Sequence, residues 1–223
     1  MVLLILSANT GIIIFLNIDP LNYACIGPYM LNTPDNSEIS RLELYATSIR
    51  SRRTINFFKN NPVETSLILE AIELARWAPN HKKTEPWHFH LLGPRICVQV
   101  KDLITDIKAV GRSDTARIAI RERLDAIPGW LVMTCNVSTD PIQQSEDYAA
   151  CACAAQNMML YLWQAGVGMK WTTGNVIRDE RFLQLMRVDK TRKFVTGLFW
   201  YGYPQHVPEQ TRKSLEEIVE ITD

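Results

Sequence analysis

The sequence has no net charge: 24 Lys and Arg offset 24 Asp and Glu over 223 residues. Without a net field there is no global attraction to nucleic acid or to an anionic membrane, so neither is expected as a partner. A cysteine framework is also missing. The five cysteines are odd in number and form no Cys-x-x-Cys pair. This argues against disulfide staples and zinc ribbons and for a reducing, cytoplasmic compartment. Cys151 and Cys153 stand two apart in a helical pattern and read as small core residues. No Lys or Arg precedes the first apolar stretch, Val2–Leu6 and Gly11–Leu16, so a secretory signal is not supported. That stretch is broken by Ser7, Asn9 and Thr10 and is short for a spanning helix.

Several catalytic signatures are absent as well. Gly166-Val167-Gly168 follows a helical pattern and has Trp171 where a dinucleotide fingerprint needs its third glycine. Gly197 and Gly202 have phosphate-loop spacing, but Tyr203 stands in place of the lysine. There is no His-Glu-x-x-His and no Gly-x-Ser-x-Gly. His88 and His90 share one strand face, with no acidic or thiol ligand at matching spacing. They read as one polar face of a strand, and no metal site is expected.

What is present is an ordinary globular composition, 47% hydrophobic and 22% charged. Two readings of the first residues stand. They are an appended arm packing on a partner chain, or the start is assigned too early and Met30 opens the protein proper. The polar lead Asn32–Glu38 favours the second. From Glu38 onward Ile39, Leu42, Leu44, Tyr45 and Ile49 suggest a helix. Asn61-Pro62 reads as a helix start, followed by Leu67, Ile68, Ala71, Ile72 and Ala75 at helical spacing. Pro79 stops that helix. Strands are expected at His88–Leu92, Trp130–Val137 and Phe194–Pro204, with charged helical sequence from Lys101 to Arg123 broken near Gly111. Ser145 reads as the N-cap of a long central helix, apolar almost all round and ended by Gly166. Trp171-Thr172-Thr173-Gly174 reads as a polar turn, and Asp179–Met186 as a further helix. There is no repeat or linker, and one α+β domain accounts for the pattern.

The polar groups not needed for this frame fall into clusters. Arg50, Arg52, Arg53 and Thr54 form the first, and the loop Trp77–Trp87 the second. Trp171-Thr172-Thr173-Gly174 is the third, with Arg212-Lys213 as a fourth. Guanidinium forks match phosphate oxygens bidentately. Hydroxyls and turn amides suit polar ring edges, and tryptophans suit planar rings. A ligand with a phosphate at one end and a broad heteroaromatic ring at the other would use all of them.

Arg52-Arg53-Thr54-Ile55-x-x-Phe58, with Ala78-Pro79-Asn80-His81 and Pro86-Trp87-x-Phe89 after it, resembles the nitroreductase-like FMN oxidoreductase family, in its short-chain subgroup. Further matches follow in the family's order: Glu146–Ala150 with Gln156–Leu160, Gly166-Val167-Gly168-x-x-Trp171-x-Thr173-Gly174, and Gly197-x-x-x-x-Gly202-Tyr203-Pro204. The resemblance implies an α+β fold with a central, mostly antiparallel sheet flanked by helices. Residues 1–37 would be an N-terminal extension, and 38–223 the FMN-binding domain. It implies a homodimer with FMN at the subunit interface, NADH or NADPH as electron donor, and a small conjugated electron acceptor such as a nitroaromatic or quinone. Arg52, Arg53 and Thr54 would contact the phosphate, ribityl chain and ring edge. Trp77 and His81 would reach the same flavin from the other subunit. Trp171, Thr172, Thr173 and Gly174 would line the isoalloxazine, and Arg212 or Lys213 would complete the phosphate site.

No side-chain nucleophile is expected, because the chemistry would lie on the flavin. Other flavin chemistry (dehalogenation, enoyl-type reduction, flavin fragmentation) and a non-catalytic FMN-binding dimer are the alternatives. Two departures stand out. Thr54 replaces the family's serine. Lys83-Thr84-Glu85 replaces Asn-Ser-Gln, and a lysine can only donate where an asparagine donates and accepts.

Overall fold

A computed structural model describes residues 2–6, 13–17 and 36–222, with side-chain burial from residue 41. Met30, the lead from Asn32 and Cys25 lie outside the described residues. The backbone divides into two compact units, Met1–Tyr45 and Ala46–Asp223. In the first, β1 (Val2–Leu6) pairs antiparallel with β2 (Ile13–Asn17), Val2 facing Asn17 and Leu6 facing Ile13. The helix α1 (Asn36–Ser51) contributes residues to both units.

The second unit is built on a four-stranded sheet of order β3 (Trp87–Leu91), β4 (Gly129–Asn136), β6 (Lys193–Gly202), β5 (Gly168–Thr172), and every neighbouring pair is antiparallel. β4 and β6 are the central strands. Both read as nearly continuous apolar runs because both of their faces are covered. Alternate side chains serve two cores. Leu131, Met133 and Phe199 pack with Ile68, Ala71 and Ala75 of α2 (Thr65–Ala75) and with Ala150, Ala154 and Met158 of α5 (Pro141–Gln164). Trp130, Val132 and Leu198 pack with Ile104 of α3 (Pro94–Ala109), Leu124 of α4 (Asp114–Asp125) and Phe182 of α6 (Glu180–Leu185). Each such buried large side chain contributes about 1.5–3 kcal/mol relative to exposure.

The antiparallel sheet flanked by helices agrees with the fold expected from the sequence, and several local details differ. α5 begins at Pro141, not at Ser145. Asp140 caps it by accepting from the Ile142 amide at 2.9 Å, and proline sits in its first turn, where its missing N–H costs nothing. α2 begins at Thr65, a turn beyond Asn61-Pro62. Gly166, at φ +76°, does end α5, as a left-handed C-cap requires. Trp171 and Thr172 belong to strand β5 rather than to a turn. Cys151 is buried, but Cys153 is exposed on the other side of α5. The histidine face is paired across the sheet: His88 Nε2 lies 3.0 Å from Asn136 Oδ1, and His90 Nε2 3.2 Å from Thr134 Oγ1. Among the described residues no group of His, Cys, Asp and Glu could hold a metal ion, and no helix is long and apolar enough to cross a membrane.

Candidate cofactor site

The segment Arg52–Phe58 runs along the free edge of β5. Thr54 bridges Met169 in parallel, and the Ile55 amide donates to the Met169 carbonyl at 3.1 Å. Glycine permits the approach: a Cβ on Gly168 would lie 2.3 Å from Ile55 Cγ1. Further on, Lys59 N donates to Tyr203 O at 2.8 Å and Gln205 N to Phe57 O at 3.0 Å. The end of β6 is thereby tied to the same segment.

This double attachment assembles an arginine cluster. Arg53 is spent on backbone. Its Nε donates to Pro208 O at 3.1 Å, and its Nη1 to Arg50 O at 2.6 Å and Arg52 O at 3.0 Å. Arg52 is half-buried; its backbone N–H donates to Ser48 O at 3.1 Å, and its guanidinium has no hydrogen-bond acceptor among the described residues. Burial lowers its pKa, and the guanidiniums of Arg212 and Arg53 lower it further. The Arg212 charge thus acts on Arg52 although 160 residues separate them along the chain. Lys213 is exposed and makes no polar contact among the described residues. Uncompensated guanidiniums on a backbone-fixed loop fit a phosphate dianion.

The loop after α2 is fastened to α5. Asn80 Oδ1 accepts from the Glu85 amide at 2.7 Å, Thr84 Oγ1 donates to Asp147 Oδ1 at 2.5 Å, and His81 Nδ1 lies 2.8 Å from Glu146 Oε2. Lys82, Lys83 and Glu85 hold φ of 60°, 53° and 43°. Left-handed non-glycine residues cost energy and persist only where surroundings over-determine them, often at ligand sites. Asp147, 3% exposed, is the anchor, and Gln143 Nε2 donates to it at 2.9 Å as well. Trp77 is 74% exposed, with its indole N–H 3.4 Å from Glu73 Oε1. No hydrogen bond among the described residues joins Trp77 or His81 to the Arg52 cluster of the same chain.

The turn at the end of β5 departs from expectation. Strand alternation sends Trp171 and Thr172 to opposite faces of the sheet. Trp171 stacks on Phe199 (centroids 5.4 Å apart), and its Nε1 donates to Thr196 O at 3.0 Å. Thr196 is the extra residue of a β-bulge, because Met133 pairs with Gly197 and Thr134 with Val195. Thr172 donates to Leu198 O at 2.9 Å on the other face. The two side chains lie on opposite faces of the sheet, and Trp171 packs against the core. Thr173 and Gly174 lie beyond the strand, exposed. Thr173 borders a cavity of about 580 Å³ with Tyr148, Arg178, Lys193 and Phe194.

Two residues of this region escape the sequence patterns. Asn56 Oδ1 accepts from Lys170 Nζ at 2.7 Å. Asn56 is two residues past Thr54 and Lys170 two before Thr172, so the alternation of extended backbone could have found both.

A sequence model of the nitroreductase family matches residues 49–203. The Bacillus subtilis (strain 168) protein YfhC, named as an NAD(P)H nitroreductase, is 28% identical over 187 residues, covering 81% of this chain and 95% of its own. The crystal structure of a nitroreductase-like family protein from Bacillus cereus superposes with a TM-score of 0.71 at 28% identity, over 80% of this chain and 96% of that one. The FMN and NADPH-dependent nitroreductase NfnB from Sphigopyxis sp. strain HMH shares the fold, with a TM-score of 0.65 at 16% identity over 80% of this chain and 99% of its own.

Proposed function

The chain belongs to the nitroreductase family, and we propose that it is an FMN-dependent NAD(P)H oxidoreductase that reduces nitroaromatics, quinones or similar conjugated acceptors. The observation that carries this reading is the Arg52 guanidinium, half-buried and without a side-chain partner among the described residues, on a segment fixed along the edge of β5. The charges named as acting on it, those of Arg212 and Arg53, are positive. A phosphate monoester relieves that repulsion through bidentate contacts.

FMN supplies the ring that accepts and returns hydride. The residues of this chain hold and orient it. Arg52 and Arg212 take the phosphate. Arg53 fixes the chain at Pro208, so that the tail carrying Arg212 stays in reach. Thr54 and Asn56 present polar groups along the edge of β5, with Lys170 adding a positive charge. Thr173 and Gly174 close the far end. Trp77, exposed just past α2, and His81, held to Glu146 of α5, are suited to a flavin held by a second copy.

That second copy is part of the reading. Ile49 (47% exposed), Trp77 (74%) and Ile142 (71%) leave apolar surface that an isologous dimer would cover. Cys97, Cys135, Cys151 and Cys153 are all free thiols, which supports a cytoplasmic setting.

Donor and acceptor would use one slot in turn, so the protein needs no acid–base pair of its own. Steady-state kinetics with NADH or NADPH and a panel of nitroaromatics and quinones tests this. Parallel double-reciprocal lines are expected. Intersecting lines would contradict alternate use of one slot, and no turnover with any acceptor would contradict the activity.

A further inference from the structure

On the sheet face opposite α5, a cavity of about 170 Å³ is walled by Ile104, Lys108, Lys170, Thr172, Leu198 and Trp200. For scale, a cavity of about 150 Å³ in an apolar protein core holds a benzene ring. Its polar groups are unusual in being donors. Lys170, half-buried, places Nζ 4.8 Å from the Trp200 ring centroid and donates one hydrogen bond to Asn56 Oδ1. Lys108, at the mouth, places Nζ 5.9 Å from the same ring and has no hydrogen-bond partner among the described residues. The charges acting on the two lysines are positive throughout: Arg123 on both, Arg112 on Lys108, and Lys108 on Lys170. Burial and these charges lower the pKa of both.

Trp200 itself supplies the second, independent observation. It is 4% exposed, and its Nε1 is the one buried side-chain polar atom among the described residues without a partner. The neighbouring Trp130, 5.5 Å away, shows the ordinary arrangement, with its Nε1 donating to Ile127 O at 3.2 Å. Buried polar groups are nearly always paired, so an orphaned donor in a cavity wall marks an acceptor that belongs there. The other walls are aliphatic, apart from Gly174 and Thr172, whose hydroxyl already donates to Leu198 O.

We infer that this cavity binds a small organic acid of about the size of benzoate, its carboxylate accepting from Lys108, Lys170 and the unpartnered Trp200 Nε1 and its apolar body against Ile104 and Leu198. Binding stands on the cavity alone. Thr172 and Gly174 border it, so the acid would lie beside the flavin turn as an anionic electron acceptor. That consequence rests on the function proposed above.

The test uses the full-length protein as purified, with benzoate and its neutral isostere benzamide as probes. The readout is the Trp200 indole N–H resonance, assigned with Trp200→Phe. Benzoate should shift that resonance saturably and benzamide should not, and Lys170→Met should weaken benzoate binding about tenfold or more. Lys108→Met gives the same readout if Lys170→Met fails to fold. No saturable shift, an equal response to benzamide, or unchanged affinity in the lysine variants would overturn the inference. So would displacement of benzoate by equimolar inorganic phosphate, which would mark a simple ion site. Benzoate binding by a protein that cannot take up FMN would leave this inference standing and sink the flavin reading. FMN uptake without a benzoate response would do the reverse.

Discussion

The Thr84 hydroxyl donates to the buried carboxylate of Asp147 at 2.5 Å, and this bond, with the exposed His81–Glu146 contact, ties the strained loop after α2 to the central helix. Three left-handed residues lie next to that bond. Their conformation is held from outside, by Asp147 and by Asn80 accepting from the Glu85 amide.

Thr84→Val removes the donor and keeps the volume. Asp147 retains Gln143 as a partner, and the bond from Asn80 Nδ2 to the Thr84 oxygen that is also lost is exposed, so the charge-assisted bond should dominate the loss, roughly 1.5–3 kcal/mol of unfolding free energy. Urea denaturation measures it. A midpoint equal to wild type would show that the loop keeps its shape without Asp147.

Arg52 and Arg53 are adjacent but should fail differently. Arg52→Ala should weaken FMN binding about ten- to a hundredfold, equivalent to roughly 1.5–3 kcal/mol, with little loss of stability. Arg53→Ala gives up three bonds to backbone carbonyls and should chiefly lower the thermal midpoint. Titration of the apoproteins with FMN, beside thermal melts, separates the two. Unchanged FMN affinity in Arg52→Ala would remove that residue from the site.

Gly168→Ala should couple fold to site. The added methyl would meet Ile55 at 2.3 Å and push the Arg52–Phe58 segment off β5. Overpacking of this kind typically costs about 1–3 kcal/mol. The melting temperature and the FMN affinity should fall together. A loss of stability with FMN affinity intact would show that the segment does not position the cofactor.

The outcome at Trp171 and Thr172 shows what the sequence could and could not tell. The long helix, the central strands and the double-arginine segment were legible because each depends on local spacing or composition. Strand β5 was not, since Gly168–Thr172 is five residues long and its Thr-Thr-Gly ending imitates a turn. Its membership in the sheet depends on pairing with β6, a contact remote in sequence. The start of α5 was missed because Ser145 with Glu146 and Asp147 imitates a capped first turn, whereas the true cap is the Asp140-Pro141 pair. Asp147 is instead a buried anchor, and only packing reveals that. The place of Arg212 near the phosphate end rests on the family resemblance, and no local pattern marks it.

His90 gives a pH dependence of stability. Burial lowers its pKa, with Lys193 and then His88 acting in the same direction. The unfolded chain then binds a proton that the folded chain does not. The stability contributed by neutral His90 is therefore complete above the unfolded value of about pH 6.5 and is lost as the pH falls toward the lower folded pKa. Denaturation midpoints at pH 7.5 and pH 5.5 should drop on acidification, and His90→Gln should reduce that drop. An identical drop in the variant would assign the titration elsewhere.

Binding of a flavin and its reduction by a nicotinamide are tested most directly by anaerobic titration of the purified, FMN-reconstituted protein with NADH and, separately, NADPH, followed by visible absorbance. A yellow protein whose flavin bands bleach with at least one of the two donors is the expected result. A colourless protein that cannot be reconstituted with FMN, or bound flavin that neither donor bleaches, would contradict the proposed function.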